Sequence, residues 1–408
     1  MTLFALAQSF NGAGMQLAYG LGPLMVLVLT GSPGLAGLSV ALLGISRFLV
    51  AYPVGKVTDT YGRRPGILIG QGLGLVGAVM VGFSIAAQSA YLLVFGMLVF
   101  GMGMSAAQQM RVAATDMYPP NMRAQALGYV ALGSLVGMVI SPILVNVAEA
   151  IAPKVGLDPL GLPWLLVPFL ILPGMVLIKF VRPDPMEIGI HLDRYYPGCQ
   201  PNVRRGGHAH LTFSARELLS HLPIRLAVIC NCAAQGNMAI MMVLTSLVLH
   251  HHGHGLAAIA ASHSFHSAGM FAFTIPLGRL ADHYGRRKVM LIGVATTLFA
   301  AGLVSFTDAY WSITLGTFLV GLGWAAANVA ATASIADYSE TEERGRAIGV
   351  NDSFAAAMTV VMAVITGPLI HAFGLAGAGV LAIVVAMLPL PLVPALLAER
   401  RAARRAVD

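Results

Sequence analysis

Long apolar segments follow one another along almost the whole chain, separated by short polar turns. A membrane-spanning helix needs about 20 predominantly apolar residues, and twelve segments are close to that length. They predict helices over residues 4–30, 36–57, 67–88, 91–115, 124–149, 163–181, 224–249, 256–279, 289–306, 310–335, 347–372 and 377–398. The pattern therefore predicts two six-helix bundles, residues 1–181 and 224–408, joined by a polar linker at 182–223.

The composition requires a lipid environment for these helices. Of the 408 residues, 57% are hydrophobic and only 10% are charged, whereas about 25% of the residues of a soluble domain are charged. A soluble core could not bury so much apolar surface. The chain is therefore predicted to be an all-α integral membrane protein in the lipid bilayer. Its first apolar segment lacks the basic region of a signal peptide and is expected to remain as the first helix.

Lysine and arginine collect at one set of helix ends, while the opposite loops hold almost no positive charge except Lys154. They fall mainly at residues 56–64, 123, 182–216, 279–288, 344–346 and 400–405. The positive-inside rule then places both termini and the linker in the cytoplasm and the turn at 250–254 outside. Because this topology accounts for the net charge of +7, no nucleic-acid partner is expected.

The two predicted bundles are related by an internal repeat. Residues 53–64 (PVGKVTDTYGRR) recur 223 positions later as residues 276–287 (PLGRLADHYGRR), with every Gly, Asp and Arg retained. A second pair, 116–128 and 337–349, matches more loosely at an offset of 221. Two parallel copies of one six-helix unit explain both offsets.

The repeated segment resembles motif A of the major facilitator superfamily, G-x-x-x-D-x-x-G-R-[RK]. The resemblance implies a rocker-switch transporter that opens alternately to the two sides of the membrane, and it assigns a cytoplasmic gate to six residues. These are Gly55, Asp59 and Arg63 in the first copy and Gly278, Asp282 and Arg286 in the second. The sequence shows no nucleophile–base pair or nucleotide-binding loop, so no enzymatic activity is expected.

Physical chemistry indicates how these residues would close a gate. Gly55 and Gly278 allow helix backbones to approach closely. Asp59 is expected to face the partly positive N-terminus of a helix that begins near Gly349. Two ion pairs are expected to accompany these contacts, Arg63 with Asp116 and Arg286 with Asp337.

This sequence carries only part of the motifs that are typical of proton-coupled drug antiporters. The fifth predicted helix carries Gly128, Gly137, Ser141 and Pro142 in a pattern similar to antiporter motif C, but Ser141 stands where that motif has Gly. The fourth predicted helix lacks the arginine of the RxxQG motif, and no carboxylate lies at mid-depth. An unpaired cationic drug would then cost at least about 2.5–3.5 kcal/mol in the bilayer. Proton-coupled drug efflux remains an alternative.

Arg47 is the exception among the charges of the predicted helices. It lies eight residues before Gly55, which is about 12 Å along the second helix. We expect it to face the transport cavity, where it either orients an anion or bonds to carbonyl groups.

Thioether and imidazole groups occupy the middle of the seventh and eighth predicted helices. Met238 and Met242 share one helix face, as do His266 and Met270, because residues four apart are neighbours on a helix. Soft Cu(I) prefers thioether and neutral imidazole ligands, and a histidine at mid-bilayer is usually functional. The pattern predicts a path for copper, to which His263 would add a ligand.

The M-x-x-x-M and H-x-x-x-M pairs resemble those of one branch of the superfamily, the CcoA-like copper importers. The resemblance implies copper import across the bacterial inner membrane for haem–copper cytochrome oxidase assembly, by a monomer with a downstream copper chaperone. Copper would be the transported substrate, and no permanently bound cofactor is expected. A sister group takes up riboflavin, so riboflavin or another small molecule is the main alternative substrate.

Further metal contacts are predicted at the ends of this path. The outer turn carries four histidines that either capture metal or form a solvated turn. They are His250, His251, His252 and His254. Cys230 lies about 12 Å to the cytoplasmic side of Met238 and either receives the ion on exit or acts as a small packing residue. Without a mid-membrane carboxylate, transport is expected to be facilitated diffusion or to be coupled through one of the membrane histidines.

Overall fold

A computed structural model describes residues 2–107, 109–118, 123–197, 216, 219–338, 344–392 and 394. Every secondary-structure element in these ranges is helical, which confirms the predicted all-α membrane fold. The elements that precede the linker are α1 (Thr2–Thr30), a 3-10 turn (Pro33–Leu35), α2 (Leu38–Tyr61), α3 (Arg63–Ala86), α4 (Ala90–Ala107), α5 (Gln109–Asp116), α6 (Arg123–Val155), α7 (Leu162–Leu166) and α8 (Pro168–Lys179).

The start of the predicted linker is itself helical, in α9 (Pro185–Ile190) and α10 (Leu192–Tyr195). The later helices begin after a stretch that lies outside the described residues. They are α11 (Leu222–His251), α12 (Leu256–Ala272), α13 (Thr274–Tyr284), α14 (Arg286–Phe306), α15 (Tyr310–Asp337) and α16 (Arg344–Met387).

Ten helical stretches among the described residues are long and apolar enough to cross a membrane. The sequence predicted twelve, and the difference arises in two places. The predicted helix 256–279 is divided at Phe273 into α12 and α13. These helices have 17 and 11 residues, and neither alone is long enough to cross a membrane. The predicted helices 347–372 and 377–398 are joined in α16, where Gly374 (φ 69°, ψ −172°) interrupts the helical backbone. Each predicted segment therefore overlaps a helix.

The chain forms two compact units. The first comprises Met1–His208 and Leu249–Ser264, and the second comprises Ala209–Val248 and Phe265–Asp408. The end of α11 and the first part of α12 thus belong to the first unit. The predicted division into two bundles and a linker follows the sequence repeat instead, and it stays a prediction.

Small residues allow neighbouring helices to approach closely within each unit. In the first unit, a Cβ on Gly103 of α4 would collide with the backbone of Gly74 on α3. In the second unit, a Cβ on Gly321 of α15 would collide with the carbonyl group of His266 on α12. Such contacts are typical of membrane helices, in which van der Waals packing drives association. The second contact holds α12 against α15 and so positions the side chains of the candidate site.

Candidate functional site

Both copies of motif A turn from one helix into the next at a glycine. Gly62 separates α2 from α3 with a φ of 100°, and Gly285 separates α13 from α14 with a φ of 94°. A positive φ of this size strongly favours glycine, which has no Cβ. The two halves therefore share a backbone conformation at the repeat as well as a sequence.

Both ion pairs predicted around motif A are present. Arg63 Nε lies 2.7 Å from Asp116 Oδ2, and Arg286 Nε lies 3.3 Å from Asp337 Oδ2. The side chains of the first pair are 13% and 24% exposed, against 28% and 53% for the second. Arg63 Nη1 also donates to Thr58 Oγ1 at 3.3 Å. Because solvent weakens exposed ion pairs, the first copy of the motif holds the stronger pair.

The remaining gate residues are described only in part. The side-chain surroundings of Gly55, Asp59 and Asp282 lie outside the described part of the chain, so the predicted contact of Asp59 with a helix N-terminus stays a prediction. Among the described residues, a Cβ at Gly278 would meet only the side chain of Val329, at 3.9 Å. This is an ordinary van der Waals distance, so the described residues show no close backbone approach at Gly278, and its role in the gate stays a prediction.

Asp184, near the start of the predicted linker, is a member of this region that the sequence pattern did not reveal. Its Oδ1 accepts hydrogen bonds from the backbone N–H groups of Arg63 (3.1 Å) and Met186 (2.9 Å). Its Oδ2 accepts one from the N–H of Arg64 (3.0 Å). The carboxylate therefore caps α3 and α9 together, at helix ends that favour negative charge. An Asp before Pro185 does indicate the second cap, but the first depends on tertiary packing.

His266 is held in one orientation by α15. Its side chain is 2% exposed, and its Nδ1 lies 3.0 Å from the carbonyl oxygen of Thr317. A carbonyl oxygen only accepts, so Nδ1 carries the proton and Nε2 of the neutral ring carries the lone pair. Nε2 is buried and has no hydrogen-bond partner among the described residues. The ring thus presents a nitrogen lone pair that can bind a metal ion or accept a hydrogen bond.

Thr317 connects this ring to the methionine face of α11. Its Oγ1 lies 3.1 Å from the Oγ1 of Thr245, which is three residues after Met242 and seven after Met238 on one helix face. Both methionines are buried, and Met270 is half-buried. Three helices of the second unit therefore meet at one threonine. No sequence pattern indicates this role of Thr317, since a threonine in an apolar helix is common.

His263 belongs to the first unit, not to the cluster around Thr317. It is buried, and a Cβ on Gly20 of α1 would lie 3.3 Å from its Cδ2. The ring therefore packs against α1, and its predicted role as a copper ligand stays a prediction.

The histidine-rich turn connects α11 to α12. His250, His251 and His252 are exposed and His254 is half-buried. The rings of His251 and His252 meet edge to face with their centroids 5.6 Å apart. Within the described ranges, no group of three or more His, Cys, Asp or Glu side chains is arranged to hold a metal ion. Metal capture at this turn stays a prediction.

Cys230 lies in an apolar core of the second unit. It is fully buried, and the same core contains Ile224, Val289 and Ile335. These neighbours suit a small packing residue, and the predicted role of Cys230 in copper exit stays a prediction.

Buried amide side chains lie along α11. Asn231 Oδ1 accepts a hydrogen bond from Asn328 Nδ2 at 3.0 Å, and Asn237 Nδ2 donates to the carbonyl of Ala382 at 2.6 Å. The other polar atom of each amide, Asn231 Nδ2 and Asn237 Oδ1, is buried without a partner in the described part of the chain. This helix therefore carries one unused donor and one unused acceptor.

Arg47 is the tenth residue of the 24-residue helix α2. Its side chain is exposed, and the predicted position of its charge in a transport cavity stays a prediction.

Comparisons with known proteins agree with this architecture. A family model of the Major Facilitator Superfamily matches residues 4–194 and 226–408. The uncharacterized MFS-type transporter YdeG of Bacillus subtilis is 30% identical over 361 residues, which cover 86% of this chain and 81% of YdeG. The riboflavin transporter RfnT of Brucella anthropi is 26% identical over 379 residues, covering 92% and 89% of the two chains.

Solved structures show the same fold. A mutant of the nucleoside transporter NupG superposes with a TM-score of 0.71 at 12% identity, covering 97% of this chain and 98% of NupG. The inward-open xylose transporter XylE from E. coli gives 0.68 at 14% identity, covering 96% and 95%. With both halves matched by the family model, this chain belongs to the Major Facilitator Superfamily and is a multi-pass membrane transporter, not an enzyme.

Proposed function

We propose that this chain imports a small polar organic solute across the bacterial inner membrane by alternating access. The observation that carries the proposal is the pair of unused amide atoms on α11, Asn231 Nδ2 and Asn237 Oδ1. A buried polar atom without a partner costs about 1–3 kcal/mol. A bound solute with both acceptors and donors would offset that cost, whereas a bare metal ion would satisfy only the acceptor.

The first solute to test comes from a relative. The Brucella anthropi protein, which is similar over most of both chains, is a riboflavin transporter. Riboflavin carries ring carbonyls, ring nitrogens and a chain of hydroxyl groups, and binding sites for such molecules place a few polar groups in an apolar lining. Besides its amides, α11 contributes the hydroxyl of Thr245, eight residues after Asn237 and about 12 Å further along the helix.

The motif A ion pairs stiffen the cytoplasmic ends of the two halves in this proposal. Arg63 with Asp116 ties α3 to α5, and Arg286 with Asp337 ties α14 to α15. Each pair lies within one unit, so it can persist while the transporter changes state. The contact predicted for Asp59 is then the part of the gate that breaks on opening.

Uptake into proteoliposomes tests the proposal. The purified protein is expected to accumulate at least one radiolabelled solute from a panel of riboflavin, other vitamins, nucleosides and sugars above the level of empty liposomes, saturably and in competition with the same unlabelled solute. Asn237→Leu keeps a similar volume but removes the hydrogen-bonding atoms, so we expect at least a tenfold loss of uptake, equal to about 1.4 kcal/mol.

The control variant is Thr296→Val, which removes the hydroxyl of a half-buried residue on α14 that bonds only within its own helix, to the carbonyl of Ile292. It is expected to transport like the wild type, and thermal melting in detergent checks the folding of both variants. If riboflavin and a panel of vitamins, nucleosides and sugars all accumulate no better than in empty liposomes, the proposal is wrong.

Copper import is a second candidate, favoured by the unused lone pair on His266 Nε2. The buried thioether of Met242 lies one helical turn from Thr245, which bonds to the same Thr317. Thioether sulfur and imidazole nitrogen are ligands that suit Cu(I). In this version copper is the cargo, and the resemblance to the CcoA-like branch supplies its destination in cytochrome oxidase assembly.

Uptake of radioactive copper by cells that express the protein separates the two candidates. If copper is the cargo, His266→Ala and Met242→Ala should each reduce accumulation at least tenfold. Met241→Ala is the matched control, because Met241 is equally buried but points to another face of α11. Accumulation that is unchanged in the first two variants, or reduced equally in the control, would exclude a copper site on these residues.

A further inference from the structure

Arg47 lies near the end of the apolar stretch Pro33–Val50 of the first unit, which is long and apolar enough to cross a membrane. Helix α2 begins nine residues before it, at Leu38, and the next charged residue of α2 is Lys56, nine residues after it. Each therefore lies about 14 Å away along the helix, which exceeds the reach of an arginine side chain. Arg47 cannot bring its charge to the level of Lys56, where the sequence predicts the cytoplasmic surface.

The acidic side chains described near the membrane in this unit are engaged elsewhere. Asp116 pairs with Arg63, Asp184 caps two helices, and Glu149 accepts a hydrogen bond from the N–H of Leu256 at 3.1 Å. No described residue forms an ion pair with Arg47. An unpaired charge at mid-bilayer costs at least about 2.5–3.5 kcal/mol. The exposed guanidinium is therefore stable there only where water or a charged ligand reaches it.

We propose that Arg47 binds the carboxylate of the transported solute, and that this solute is an organic monoanion. The inference rests on the proposed function and adds the charge of the substrate to it. A guanidinium presents parallel N–H donors in one plane, which match the two oxygens of a carboxylate. The pair that forms is electrically neutral, so the solute crosses the middle of the bilayer without a net charge.

The surroundings of Arg47 favour one negative charge on the solute over two. The next basic residue of α2 is Lys56, nine positions later, or about 14 Å along the helix. A dicarboxylate or a doubly ionised phosphate would leave one uncompensated charge at mid-depth. The ligand class is therefore a small organic monocarboxylate.

Paired acids and neutral analogues test the inference on the reconstituted full chain. The probes are nicotinate with nicotinamide, pantothenate with panthenol, and riboflavin. The wild type is expected to accumulate at least one acid at least tenfold above its neutral partner, after subtraction of empty liposomes. Arg47→Gln should lower that uptake at least tenfold. Acid uptake by Arg47→Lys should lie between that of the wild type and that of Arg47→Gln, because lysine keeps the charge but lacks the planar pair of donors.

Arg225→Gln is the matched control, since Arg225 is an exposed arginine near the start of α11. It should transport like the wild type, and melting temperatures show whether each variant folds. Transport of riboflavin or a neutral analogue that Arg47→Gln leaves unchanged overturns the inference and keeps the proposed function. Acid uptake that survives Arg47→Gln also overturns it. Failure of every probe to accumulate counts against both.

Discussion

A single carbonyl oxygen, that of Thr317, determines which nitrogen of His266 carries the proton. Because the oxygen accepts a hydrogen bond from Nδ1, the lone pair is left on Nε2, the buried atom without a described partner. Either cargo considered above, a copper ion or a solute with a donor group, would use that same lone pair. The orientation of the ring is thus a property of the protein before any cargo binds.

Nitrogen NMR of protein labelled at its histidine side chains should show this tautomer directly. We expect a protonated Nδ1 and an unprotonated Nε2 at His266, with the resonance assigned by its loss in His266→Gln. Thr317→Val should leave the tautomer unchanged, because it removes the hydroxyl group and keeps the backbone carbonyl. A protonated Nε2 in the wild type would contradict the geometry.

Among the helices, the two motif A turns share a backbone conformation but differ in their surroundings. A Cβ added to Gly62 would lie 2.9 Å from Asp184 Oδ2, whereas one added to Gly285 would meet nothing within 4 Å. The first turn is thus constrained by its φ and by the carboxylate that caps α3. Among the described residues, only its φ constrains the second turn.

Alanine substitutions at these two turns should therefore differ in cost. Gly62→Ala and Gly285→Ala each place a Cβ at positive φ with an extended ψ, which costs about 1–3 kcal/mol. Gly62→Ala should also displace Asp184 and weaken the cap, for a further loss of about 0.5–2 kcal/mol. Thermal melting in detergent is expected to rank wild type, Gly285→Ala and Gly62→Ala in falling order. Hydrogen exchange at the start of α3 should rise only in Gly62→Ala. Equal melting of the two variants would contradict the role of Asp184.

The helices themselves could be predicted from the sequence because the bilayer sets their length, but their interruptions could not. Pro53 and Pro276 occupy equivalent positions of the repeat, yet α2 continues through Pro53 while the chain breaks at Phe273, before Pro276. A proline removes one N–H donor, and neighbouring groups decide whether the helix survives that loss.

The candidate site could likewise be predicted only in part. Spacing was enough to suggest the methionine and histidine faces, because residues four apart share a helix face. Thr317 and Asp184 escaped prediction because their roles depend on contacts between segments far apart in sequence. Thr245 meets Thr317 across 72 positions, and Asp184 meets Arg63 across 121.

Over the whole molecule, the two motif A ion pairs give the halves unequal rigidity at the helix ends that carry the motif. The pair in the first half is shorter and less exposed than its counterpart. Salt screens exposed charges more strongly than enclosed ones. The first half should therefore keep its pair under conditions in which the second half loses it.

Neutralising the two acids should reveal this asymmetry in transport. Asp116→Asn is expected to slow uptake severalfold more than Asp337→Asn, measured as initial rates for a solute that the wild type accumulates. Exchanging the partners, with Arg63→Asp and Asp116→Arg together, should recover part of the rate lost in either single change. Equal effects of the two neutralisations, or no recovery in the exchanged pair, would contradict an ion-pair role.

The carboxylate of Asp184 also makes the two halves of the chain unequal. The halves repeat one sequence unit, and Asp184 stands on the segment that joins them. Among the described residues, its cap on α3 has no counterpart at Gly285, where a Cβ would meet nothing within 4 Å. The connecting segment has thus become part of the first half, and the halves are no longer interchangeable. A permuted gene that places the second half first and severs this connection would leave the turn at Gly62 without its acid.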